Sequence, residues 1–249
     1  MQTETIIYQH SPQFLPKIAI KLENMLASVY EGTQKTHPII HHYALKNIIE
    51  IIKIIDKPEI KSRLTKEFLR LEHVLPEHFK EKNQKLFQQF QLKCQEIQSL
   101  NSRFGSHLHL DSFLLSLRIR SQDQWSECEL QLPFLYHWLH QSPEFRQEML
   151  KNWLSDLKNL KAIIQIYLSI LNHLTDYENI TVTQNFFQKS FIGNPPCQLI
   201  QLKLKANTPI IPKIQTSTHA ISIYFNDINN LEQNNLSSSF PIELGIVRI

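Results

Sequence analysis

AIIQIYLSILNHLTDYENITVTQNFFQKSFIGNPPCQLIQLKLK, residues 162–205, contains the point at which the chain changes its period. Through Leu171 the apolar residues recur at helical spacing, with Gln165 and Ser169 as interruptions. By 198–205 the rule has become strict alternation. Leu199, Gln201, Lys203 and Lys205 fall on one side, and Ile200, Leu202 and Leu204 on the other. A period near 3.6 is the signature of a half-buried helix and a period of 2 that of a half-buried strand. The switch falls near residue 178. The chain before it is expected to be mostly helix and the chain after it mostly strand, split by Asn, Pro and Ser.

Working upstream, Ser142-Pro143-Glu144 supplies a cap, a proline in the first helical position and an early acid. Two helices to about residue 176 follow from it. Pro133 opens a shorter helix through Trp138, Leu139 and His140. Ile48, Ile51, Ile52 and Ile55 form the buried stripe of a helix over 38–55, which Asp56-Lys57-Pro58 breaks. Pro58 then opens a helix to 74. A helix over 16–30 buries Ile18, Leu22, Met25 and Leu26, and Gly32 is expected to end it. A long polar helix over 76–100 has sparse apolar residues: Phe79, Leu86, Phe90, Cys94 and Ile97. From Leu86 on they recur every three or four positions, like a two-helix seam, and the helix is a candidate dimer element. Residues 101–107 read as a loop and 110–120 as a short helix.

Two strands precede the switch. Residues 5–10 carry β-branched Ile6 and Ile7, and 126–132 alternate Cys128, Leu130 and Leu132 against Glu127, Glu129 and Gln131. Further strands are expected near 181–191, 198–205, 219–225 and 241–247, with a polar loop at 226–239. The early strands have only these to pair with. The expected fold class is therefore α+β: a mostly helical domain, 12–125 and 133–177, plus a smaller antiparallel β domain built from N-terminal, internal and C-terminal strands, 1–11, 126–132 and 178–249.

Composition narrows the function. The 249 residues are 42% hydrophobic and 20% charged, with a net charge of +3, which is ordinary globular composition. Cys94, Cys128 and Cys197 are isolated and odd in number, which argues for reduced thiols rather than a disulfide framework. The N-terminus lacks the pattern of a signal peptide, and no stretch approaches the ~20 apolar residues of a membrane span. A cytoplasmic protein without membrane contact is expected. Only Gly32, Gly105, Gly193 and Gly245 are present, too scattered for a phosphate-cradling loop.

Of the 12 histidines, His137 and His140 sit three apart with Glu144 following, but no His-Glu-x-x-His pattern exists. No metal and no cofactor are expected. His41 and His42 are adjacent and so point to different faces, and His107 and His109 flank a loop. Phe104-Gly105-Ser106 lacks the second glycine of a nucleophile elbow, no cysteine lies in a nucleophile motif, and an enzyme is not expected. The segment 57–93 is basic but interleaved with acids, as in the pairs Glu59–Arg63 and Glu81–Lys85. Its excess is too small for nucleic acid and suits a solvated helix face, part of which could hold an acidic peptide.

Several stretches taken in order resemble one family. They are the opening Met1-Gln2-Thr3 with its strand ending at His10, then Lys46-Asn47-Ile48-Ile49-Glu50, and the run from Lys57-Pro58-Glu59 to Phe68-Leu69-Arg70. Leu132-Pro133-Phe134-Leu135-Tyr136-His137-Trp138-Leu139 is the strongest, followed by Trp153 and Leu157, Phe186-Phe187-Gln188, and Ala220-Ile221-Ser222-Ile223-Tyr224-Phe225. Together they resemble the ZapD family of cell-division proteins across essentially the whole chain. The resemblance implies a non-enzymatic homodimer that binds the C-terminal tail of FtsZ, bundles FtsZ filaments and stabilises the Z ring at midcell. It also implies tail contacts by basic residues. Carried over by position these are Lys21, Lys57, Arg118 and Arg120, with Tyr136 and Ser112 standing where relatives carry His and Arg. Ala220 and the residue before Phe225 also depart from the family's basic pattern. The alternative is a helical adaptor dimer that binds a different acidic and apolar peptide.

Overall fold

The computed structural model describes residues 5–100, 103–118, 132–183, 185–191, 195–206, 208–217, 220–228 and 239–249. Its elements run β1 (Thr5–His10), α1 (Phe14–Thr33), α2 (Pro38–Ile55), α3 (Pro58–Val74), α4 (Glu77–Lys82), α5 (Gln84–Ser99), α6 (Ser112–Arg118), α7 (Pro133–Leu139), α8 (Pro143–Asp156) and α9 (Lys158–His173), followed by six strands. These are β2 (Tyr177–Val182), β3 (Phe186–Ser190), β4 (Cys197–Lys205), β5 (Ile210–Thr216), β6 (Ala220–Asp227) and β7 (Phe240–Arg248). The fold class is α+β. The chain divides into two compact units: residues 19–167, and residues 1–18 with 168–249.

The first unit is helical and α2 is its hub. Nine residues of α2 are buried, from His41 to Ile55, and the helix packs on α3, α7 and α8. Gly32 does not end α1 as expected but lies inside it. A Cβ there would sit 2.7 Å from that of Ala44, so glycine serves close approach of α1 and α2 rather than capping. The expected long polar helix is interrupted at Asn83, giving α4 and α5. Its apolar face does form a two-helix seam, but with α3 of the same chain: Phe90, Cys94 and Ile97 are buried, and the Phe68 and Phe90 rings stack at 5.1 Å. That face is thus occupied within the chain. The expected strand at 126–132 lies outside the described residues except for Leu132, which is the N-cap of α7.

The second unit holds two antiparallel sheets, ordered β1-β4-β7-β2 and β3-β6-β5. They share one core, in which Ile200, Leu202, Leu204, Ile242 and Leu244 of the first sheet meet Ile210, Ile221, Ile223 and Phe225 of the second. The expected single strand over 181–191 is two strands. Asn185, at a φ of 61°, turns the chain between β2 and β3, which join different sheets. A left-handed residue suits Asn because its short polar side chain tolerates that conformation. Strand β5 was not expected from the sequence; it carries Pro212, which is tolerated because β5 is a sheet edge. On the other face of β4, Gln201 is buried, with Tyr177 Oη donating to its Oε1 (2.7 Å) and its Nε2 donating to Asn172 Oδ1 (2.8 Å).

Candidate functional site

The junction of α2 and α3 is two residues long. The backbone N–H of Asp56 closes α2 on Ile52 O at 2.8 Å, and Lys57 is the N-cap of α3, with Pro58 fixing its first position. So short a link between two buried stripes leaves the Asp56 carboxylate and the Lys57 ammonium at the surface. Lys57 is exposed.

Three basic side chains converge on Asp56 from more than forty residues away in sequence. Arg118, the last residue of α6, pairs with Oδ2. His109 Nδ1 lies 2.9 Å from Oδ1, and Arg103 reaches the same oxygen at 3.9 Å. The turn that delivers Arg103 and His109 depends on Gly105, at a φ of 60°. His109 Nε2 faces Phe104 O at 3.2 Å. Both ring nitrogens of His109 thus face oxygen atoms.

The position of α6 is fixed from below. Asp111 Oδ1 accepts from the Leu114 backbone N–H and its Oδ2 from Trp153 Nε1, both at 2.9 Å. Phe113 stacks on Trp153 (5.9 Å, 6° between planes) and packs against Trp138 (5.9 Å). Arg118 therefore stands at the end of a short helix anchored by three aromatic residues.

A second basic group has the opposite surroundings. Arg146 on α8 is 3% exposed. Its Nε donates to His41 Nδ1 (2.8 Å), its Nη1 to Leu139 O (2.7 Å) and to Gln141 O, and its Nη2 to Thr36 O (3.0 Å). His41 completes the arrangement by donating from Nε2 to Lys35 O at 2.7 Å, so its Nδ1 is free to accept. Burial pushes the His41 imidazolium pKa down, and the Arg146 charge pushes the same way.

Of the residues expected to contact a partner, Arg118 is paired with Asp56, and Lys57 is the exposed residue that follows Asp56 in the chain. Lys21 stands on the exposed side of α1, and the Tyr136 ring meets that of His140 at 4.2 Å, tilted by 42°, on the exposed side of α7; neither is among the groups paired with Asp56. Arg120 lies outside the described residues. Sequence reasoning missed Asp56, Arg103 and His109. Asp56 read only as a helix breaker, and nothing local marks a partner some fifty residues on. His137 Nε2 bonds Gln141 Nε2 at 2.8 Å, and His140 Nδ1 bonds Tyr136 O at 2.8 Å. Among the described residues no cluster of His, Cys, Asp and Glu could hold a metal ion, and no helix is long and apolar enough to cross a membrane.

Comparison with known proteins gives a consistent result. The ZapD family profile, described as "Cell division protein", matches residues 20–224. A cell division protein ZapD of Coxiella burnetii is 27% identical over the whole of both chains. The ZapD of Nitrosomonas europaea is 24% identical over 84% of this chain and 82% of the relative, and that of Dechloromonas aromatica 24% identical over 88% and 89%. These relatives are named for a part in division and not for a catalysed reaction. The chain belongs to the ZapD family, and its role is in cell division.

Proposed function

We propose that this protein binds the C-terminal tail of FtsZ and, as a homodimer, cross-links FtsZ filaments in the cytoplasm at the division site. The observation that carries the reading is the surface cluster at the α2–α3 junction, where Arg103, Arg118 and His109 meet a single carboxylate and the adjoining Lys57 is exposed. Such a cluster has positive charge left over for an acidic group on a peptide. Arg118 supplies a planar fork that fits a carboxylate, and Lys57 a mobile point charge. Lys21, Arg120 and Tyr136 are assigned to the rest of the tail. Tyr136 is well suited to an apolar residue, being 38% exposed and held against His140.

A two-fold dimer offers two equivalent tail sites. Each contact can be weak, because a filament displays many tails and the second attachment is intramolecular. Bundling then follows from avidity rather than from one tight site.

Co-sedimentation with polymerised FtsZ, beside FtsZ lacking its tail, tests the reading. Bundles with intact FtsZ only are expected. Equal sedimentation with both forms would remove the tail site, and binding to neither would leave an adaptor for a different acidic and apolar peptide.

A further inference from the structure

Asp56 is placed where a visiting carboxylate would have to go. It sits at the C-terminal end of α2 and one residue ahead of the N-cap of α3. At the first of these ends the helix dipole disfavours a negative charge and at the second it favours one, so the backbone gives Asp56 little net reason to be acidic. The side chains around it do. Arg118 and His109 are both more than three-quarters covered and spend donors on it, while Arg103 reaches it at 3.9 Å with 68% of its side chain exposed. The cations outnumber the one carboxylate. Nearby, Lys61 donates to Leu100 O and is thereby occupied, and Glu59 in the first turn of α3 is exposed.

We propose that Asp56 is an internal stand-in for a carboxylate of the bound peptide, so that docking is an exchange. The incoming carboxylate takes Arg118 and Arg103, and Asp56 yields Arg118 while keeping His109. The inference rests on the tail-binding reading for the identity of the ligand, an extended peptide bearing Asp or Glu, but not for the existence of the anion site. Exchange keeps the cations ordered and neutralised in the free protein. It also makes binding weak, because each docking event must break an ion pair already present. Weak single contacts suit a cross-linker that relies on many tails.

The test is Asp56→Asn in the full chain, with fluorescence anisotropy of an FtsZ tail peptide at low salt. Removing the competing charge is expected to tighten binding roughly three- to ten-fold, the range of a partly screened ion pair. Adding Arg118→Gln to Asp56→Asn should erase the gain. Binding equal to or weaker than wild type by an Asp56→Asn protein with unchanged circular dichroism overturns the exchange. If Asp56→Asn fails to fold, the wild-type chain gives a second measurement. On tail binding the Asp56 carboxylate carbon and the Arg118 guanidinium resonances should shift together, and an unmoved Asp56 signal with peptide bound overturns the proposal.

A tail that binds neither protein defeats the FtsZ reading, and sulfate then serves as the probe. Sulfate that stabilises Asp56→Asn to heat more than wild type, and only with Arg118 present, supports the anion site without the tail. The same stabilisation in both proteins overturns it.

Discussion

Arg146 and Arg118 are the same residue in opposite situations. Arg146 is buried and gives its donors to three backbone carbonyls and to His41. Arg118 is partly exposed and meets one side-chain carboxylate, itself shared with His109 and Arg103. Backbone carbonyls cannot leave, so Arg146 is committed to the fold and ties the entry of α2 to the α7–α8 link. A side-chain carboxylate can rotate away, so Arg118 can change partners. A basic residue is available for binding when its acceptor is replaceable, and not simply when it is charged.

The comparison predicts a graded set of losses. Arg146→Ala should cost the most, about 3–4 kcal/mol in urea or thermal unfolding, because it leaves several buried acceptors without a donor. Arg146→Lys should recover little, since an ammonium cannot reproduce the planar fork. A loss under about 1 kcal/mol would erase the contrast.

Acid should act next, on the same part of the helical unit. His41 and His42 both have pKa values lowered by burial, His42 to about 4 with Lys46 pushing the same way. The unfolded chain therefore takes up more protons than the folded one below its ordinary histidine pKa of about 6.5. Stability should be level above about pH 6.5, fall as the pH drops from there to about 4, and lose nothing further to His42 below that. After allowance for solvent screening, His42 accounts for about 1–2 kcal/mol. A His42→Gln chain should show a shallower acid limb, and an unchanged limb would remove His42 from this account.

The smallest effect on stability belongs to the surface cluster, where Arg118→Gln and Lys57→Ala should each shift unfolding by less than about 1 kcal/mol. Their effect should appear instead in tail binding, weakened about ten-fold for Arg118→Gln and about three-fold for Lys57→Ala, more so at low salt. Arg118→Gln that unfolds the protein as Arg146→Ala does would make the two arginines alike.

What the sequence made legible follows from the range of the interactions involved. The stripe Ile48, Ile51, Ile52 and Ile55 announces α2 because periodicity is local, and Ser142-Pro143-Glu144 announces α8 because caps are local: Ser142 Oγ accepts from Phe145 N at 3.2 Å. Gly32 misled because a glycine that permits close approach to Ala44 looks the same in one dimension as a glycine that ends a helix. Lys57 was noticed within the basic segment 57–93 but singled out, like Arg118, through family resemblance, and Asp56 was not reached as a site residue at all. Its pairing with residues 103, 109 and 118 is created by the packing of α6 and of the turn before it, and has no periodic trace. Arg146 was silent for the same reason.

The order of strands also sets an order in time. Strand β1 is made some two hundred residues before its neighbour β4, and β7, which separates β4 from β2, follows both of them. A ribosome delivering the chain from its N-terminus releases the whole helical unit before the sheet can close. A chain interrupted between α9 and β7 therefore carries a finished helical unit and strands with open edges. Loss of β7 removes an inner strand of its sheet, so the cell's proteases would meet an unmistakable signal of incompleteness.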